Sequence, residues 1–95
     1  MEKRNIMVSM DEDRDLLIEA FDNSYRLAFG EVSLEGLKEE CVMGDKDLYM
    51  IYHYEDGIGE EDLYDMLLWY EELEQYERCG VIKRYMDENF GRNDV

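Results

Sequence analysis

No proline interrupts these 95 residues, and no low-complexity tract or internal repeat divides them, so the chain is read as a single domain, 1–95. Long apolar runs are missing too. Nothing approaches the roughly 18 uninterrupted apolar residues of a membrane span. The opening "MEKRNIMVSMDEDRD" has no extended apolar stretch and no small-residue cleavage site, so it does not read as a signal peptide. Cysteine is scarce. Cys41 and Cys79 sit inside amphipathic patterns, which predicts two reduced, half-buried thiols in a cytoplasmic protein rather than a disulfide framework.

Catalytic signatures are also lacking. His53 is the sole histidine and stands between tyrosines, while Ser9, Ser24, Ser33, Cys41 and Cys79 lie in no nucleophile motif. There is no Gly-rich phosphate loop, CxxC pair or HExxH. Carboxylates are so abundant that a chance pair of them does not indicate glycosidase chemistry. In "DEDRD", Asp11, Asp13 and Asp15 match the first ligand positions of an EF-hand-like loop. Leu16 then falls where such a loop needs glycine, and Asp22 where it needs glutamate. A helix N-terminus explains the same acids. The expectation is a protein that is not an enzyme and has no cofactor or metal.

Positive charge is the last scarcity. Ten Lys and Arg face 26 Asp and Glu, a formal net charge of −16. Self-repulsion of that size favours disorder, but 45% apolar and 13% aromatic residues are enough to build a core. Anionic membranes and nucleic-acid phosphates would be repelled. A basic or nucleic-acid-binding protein is the complementary partner.

Periodicity gives the architecture. Leu17, Phe21, Tyr25 and Ala28 predict a helix over about 10–29. Ser9 and Glu12 have capping-box spacing ahead of it, and Gly30 is its stop. Ser33 is placed to cap a second helix carrying Leu34, Leu37 and Cys41 and ending near Gly44. The stretch "DKDLYMIYHYED" reads two ways. A third helix capped by Asp45 is favoured because strand partners are scarce. Alternation of Leu48, Met50, Tyr52 and Tyr54 would equally suit a strand, with "NIMVS" as its neighbour. The predicted fold is therefore all-α, three to five helices with a C-terminal helical hairpin. The minority form is α+β, with two short strands from 5–9 and 47–54.

From Glu60 the helical signal is strongest. Leu63, Met66, Leu67, Tyr70 and Leu73 share one face, and Glu61, Asp65 and Glu72 lie opposite. Cys79, Ile82, Met86 and Phe90 form a second stripe about 180° out of phase with the first. Glu74 and Glu77 occupy places where the first stripe should continue. Either one long helix is clasped on opposite sides at its two ends, or a break between Glu74 and Arg78 folds the chain back as a hairpin; the break is favoured as the commoner solution in a small domain.

The stretch "DMLLWYEELEQYERCGVIKRYMDEN", 65–89, resembles acidic helix-turn-helix segments that end many small phage and bacterial proteins. It is also similar to the UVR helical hairpin, an interaction module of nucleotide-excision repair and protease-adaptor proteins. Tyr76, Glu77, Cys79 and Gly80 fall where that module opens its second helix. The resemblance implies a protein-contact hairpin and not a catalyst.

Residues 55–77 hold ten acids and no basic residue. A solvated helix face accounts for most such runs. Ordinary solvated helices, however, intersperse Lys or Arg at i+4 for a few tenths of a kcal/mol per pair, and this one does not. The functional expectation is a binding protein whose acidic face engages a basic target surface. In size and charge it resembles small phage-encoded inhibitors that mimic nucleic acid, an anti-defence type of protein. The partner-binding residues nominated are Glu60, Glu61, Tyr64, Asp65, Leu68, Trp69 and Glu72, with Tyr64, Leu68 and Trp69 as apolar anchors. The alternative is a small adaptor or subunit that docks through the hairpin.

Overall fold

Acids at the start of a helix and a left-handed residue at its end recur along this chain, and they place most of its element boundaries. The structure is a computed structural model that describes residues 5–8 and 13–90. The chain divides into two compact units, 1–57 and 58–95.

In the first unit a strand, β1 (Asn5–Met7), is followed by α1 (Arg14–Ala28), α2 (Leu34–Gly44) and a second strand, β2 (Leu48–Met50). Asp13 caps α1, its carboxylate accepting from the Asp15 N–H at 3.4 Å. The expected Ser9–Glu12 capping box lies outside the described residues, as does Asp11. Asp13 and Asp15 therefore serve a helix start, and residues 14–22 are helical rather than an ion-binding loop. Leu17, Phe21 and Tyr25 are buried at i+4 spacing, joined by Ala20 and Ser24. Gly30 ends α1 with φ of 79°. There the Glu31 N–H donates to the Arg26 carbonyl at 2.8 Å, and the Gly30 N–H donates to that of Leu27 at 3.3 Å. This Schellman pair satisfies two carbonyls the helix leaves open.

Ser33 caps α2 as its position in the sequence implies, its hydroxyl accepting from the Gly36 N–H at 3.0 Å. The helix ends at Gly44, as expected, and the residue after it makes the stop. Asp45, not Gly44, takes the left-handed conformation, with φ of 55°. Lys46 and Asp45 donate to the carbonyls of Cys41 and Val42, completing the same motif. A bidentate contact ties the two helices together. The Arg26 guanidinium reaches the Glu40 carboxylate at 3.0 and 3.2 Å and Asp22 at 3.1 Å. Lys46 makes a second tie to Glu19 at 3.1 Å.

The helix expected over "DKDLYMIYHYED" is replaced by β2 and a turn, in which Asp56 donates to the His53 carbonyl at 3.0 Å. The ladder is parallel, pairing Asn5 with Leu48, Ile6 with Tyr49 and Met7 with Met50. Alternation won because both edges of β2 find partners. Toward β1, the Met50 carbonyl accepts from the Val8 N–H at 2.8 Å. On the far edge two buried polar residues of α1 substitute for a third strand. Asn23 donates to the Tyr49 carbonyl at 3.2 Å, and the Ser24 hydroxyl accepts from the Ile51 N–H at 2.9 Å. Leu48, Met50 and Tyr52 meanwhile turn inward and are buried. The fold is thus mostly helical with a C-terminal helical pair, and the two-stranded element is a small parallel addition.

The second unit is that helical pair, α3 (Glu60–Glu72) and α4 (Tyr76–Phe90). Leu63, Met66, Leu67 and Tyr70 of α3 are buried, as are Cys79 and Ile82 of α4. The break falls between Glu72 and Tyr76, about two residues ahead of the Glu74–Arg78 interval expected from the stripes, because the left-handed residue that stops α3 is Glu74 itself. Glu74 adopts φ of 60°, and the Gln75 and Glu74 N–H groups donate to the carbonyls of Tyr70 and Glu71 at 2.9 and 3.0 Å. A third Schellman stop therefore resolves the two out-of-phase stripes. Across the pair, the Arg78 guanidinium donates to the Tyr70 hydroxyl at 2.9 Å and stacks 5.2 Å from its ring centre.

Candidate acidic interface on α3

The start of α3 explains why its acids gather where they do. Gly59 is the N-cap, and the Asp62 carboxylate accepts from the Gly59 N–H at 3.1 Å. Glu60, Glu61 and Asp62 fill the first turn, where the helix dipole is positive and favours carboxylates. Local helix chemistry thus stabilises three acids side by side before any partner is considered.

Beyond that turn, the positions opposite the buried stripe remain open. Glu60, Glu61, Tyr64, Asp65, Leu68 and Glu72 are all exposed. Tyr64 retains 54% and Leu68 45% of its accessible surface, large values for such side chains. They stand at i and i+4 and form an apolar strip among carboxylates. Trp69 does not join them. It is only 7% exposed and belongs to the core, so the anchor role expected for it is corrected. At 100° per residue Trp69 lies about 100° from the centre of the buried stripe, near enough for a large ring to fold over onto the core.

Among the described residues, Glu60, Glu61, Asp65 and Glu72 take part in no ion pair, whereas Glu71 meets Lys83 at 3.8 Å. The contrast follows from position. Lys83 faces the turn end of the pair, and no basic residue of 55–77 is available to the other carboxylates.

Four of the nominated residues also enclose a concavity. Glu60, Glu61, Tyr64 and Asp65 line a pocket of about 340 Å³ together with Met86 of α4. Met86, ten residues into α4, meets the first turn of α3, so the two helices run antiparallel. Its place in the α4 apolar stripe was legible in the sequence. Its role as a pocket wall was not, because that needs the pairing of the helices. Leu68, Glu72 and Trp69 lie outside this concavity.

No three His, Cys, Asp or Glu side chains among the described residues converge as a metal site would require. His53 is exposed on the turn of the first unit. Both thiols are buried, and burial raises the pKa of Cys41 and of Cys79, which disfavours the reactive thiolate. None of the described helices is long and apolar enough to cross a membrane. Compared with known proteins, the chain matches no family model, no curated protein and no solved structure. The functional reading therefore rests on the chain's own residues.

Proposed function

We propose that this is a non-enzymatic binding protein whose α3 face engages a basic surface of a target protein, in the manner of a phage-type inhibitor that mimics nucleic acid. The observation that supports this is the exposed strip of Tyr64 and Leu68 among unpaired Glu60, Glu61, Asp65 and Glu72. Carboxylates along a helix offer a basic groove what phosphates offer it, and the two apolar side chains add contact that a phosphate backbone lacks. Such a protein would act in the cytoplasm, where nucleic-acid-binding targets are present, and would need no cofactor.

The decisive experiment pairs a fold measurement with a binding measurement. Replacing Glu61, Asp65 and Glu72 by Gln should leave the circular dichroism spectrum intact. The same variant should lose association with a strongly basic protein probe such as protamine. Association should also fall steeply between low and physiological salt, because exposed charges are screened over about 8 Å there. Retained binding at molar salt would favour the other reading, an adaptor that docks through the apolar side of the hairpin.

A further inference from the structure

The acidic face is not uniform. Its N-terminal half is hollowed into the pocket formed by Glu60, Glu61, Tyr64, Asp65 and Met86, while Leu68 and Glu72 continue as open helix surface. At about 340 Å³ the hollow is at the small end of ligand sites, suited to one side chain rather than a drug-sized molecule. Its lining combines three carboxylates with a phenol ring and a thioether. A neutral or anionic occupant would leave the carboxylates uncompensated. A compact metal ion is disfavoured as well, since these side chains do not converge on a point. The complementary shape is an extended organic cation with an apolar stem.

Resting on the acidic-face reading, we infer that this pocket captures a single arginine side chain of the basic partner. The stem would lie along Met86. The guanidinium plane would stack on Tyr64, with its fork of N–H donors directed to the carboxylates of Glu60, Glu61 and Asp65. Arginine fits better than lysine because its donors are spread over a plane and its flat face stacks on aromatic rings. The same unit already builds such a contact internally, where Arg78 stacks 5.2 Å from the Tyr70 ring centre and donates to its hydroxyl at 2.9 Å. Tyr64 offers an equivalent ring with no arginine of its own among the described residues. Opposing charge is the positive end of α3, to which Glu60, Glu61 and Asp62 already respond. Three carboxylates against one helix terminus leave the pocket negative.

Titration of the full chain tests this, observed through the Met86 methyl and Tyr64 ring resonances. The probes are a capped Gly-Ser peptide with one arginine, the same peptide with citrulline or lysine, and oligo-arginine. The arginine peptide is expected to shift both resonances saturably, citrulline to leave them in place, and lysine to bind more weakly. Tyr64→Ala should weaken the arginine peptide about fivefold, and Tyr64→Phe should restore it. Equal response to lysine, or no effect of Tyr64→Ala, overturns the pocket assignment. If oligo-arginine then still binds through the acids, the acidic-face reading survives that loss. Failure of oligo-arginine to bind overturns both.

Discussion

Both units of this chain are rich in carboxylates, yet they use them in opposite ways. In residues 1–57 four acids are structural partners. Arg26 joins Asp22 and Glu40, Lys46 joins Glu19, and Asp13 caps a helix. In residues 58–95 Glu60, Glu61, Asp65 and Glu72 of α3 remain without ion pairs among the described residues, and Tyr64 and Leu68 are exposed beside them. A carboxylate with a fixed cation contributes to the fold. A carboxylate without one adds repulsion, which a partner's positive charge can relieve. Negative charge alone therefore does not distinguish the two sets of acids; the presence or absence of an internal cation does.

The largest expected effect separates core from strip on α3 itself. Trp69→Ala removes a buried ring and should destabilise the helical pair by about 3–5 kcal/mol. Leu68→Ala, one residue away but exposed, should stay within about 0.5 kcal/mol. Chemical denaturation followed by Trp69 fluorescence serves Leu68→Ala, and circular dichroism serves Trp69→Ala. Equal losses at the two positions would break the distinction between core and contact strip.

Next in size is the far edge of β2. Ser24→Ala leaves the Ile51 N–H without the hydroxyl 2.9 Å away and should destabilise the first unit by about 1–3 kcal/mol. Amide exchange at Ile51 should accelerate with it. Unchanged exchange would show that α1 does not seal this edge.

A smaller, stabilising effect is expected at the turn of the second unit. Glu74 sits at φ of 60°, a conformation that glycine adopts without a Cβ penalty. Glu74→Gly should raise stability by about 0.5–1 kcal/mol and remove one repelling charge at the same time. A lowered melting temperature would mean that the Glu74 side chain holds the turn in some other way.

The smallest effects carry the sharpest sign. Glu40→Gln should destabilise by about 1 kcal/mol or less, since the pair with Arg26 is partly exposed. An α3 variant with only Asp65 and Glu72 changed to Gln, which leaves the first-turn acids in place, should instead gain a few tenths of a kcal/mol by losing like-charge repulsion. Acid titration gives the same contrast. The hydrogen bond from Arg26 holds the Glu40 carboxyl below its ordinary pKa. Its contribution is thus present above the unfolded-state value and lost as pH falls through the folded one. Arg26→Gln should flatten that part of the acid limb, measured as melting temperature against pH, with salt held constant. If both neutralised variants shift stability in the same direction, the paired and unpaired acids are equivalent and the comparison fails.

Much of the helical pattern was legible because it is written in local chemistry. Ser33 faces the exposed N–H groups of its own helix, Gly30 adopts a conformation that few residues tolerate, and the stripes of α3 and α4 cannot share one face of an unbroken helix. Those signals involve neighbours within about a turn. Residues 48–50 were harder, since alternation and helical spacing coexist in "LYMIY". The choice depended on Val8, Asn23 and Ser24, which are distant in sequence. Asp45 reads as the N-cap of a third helix, whereas it is the left-handed C-cap of α2, a role that depended on residues 48–50 forming a strand. Trp69 was misplaced because a face drawn from angles alone ignores the reach of an indole ring.

By itself the sequence determined the charge imbalance, the helix stops near 30 and 44, the acid-rich first turn of α3 and the phase conflict between the stripes of α3 and α4. Each follows from interactions short enough to be carried by a few consecutive residues. Only tertiary structure decided that β2 is a strand, that Trp69 belongs to the core, and that Met86 closes a hollow over Glu60, Glu61, Tyr64 and Asp65. Burial and concavity are properties of surfaces brought together, and no local pattern specifies which distant side chain will complete them.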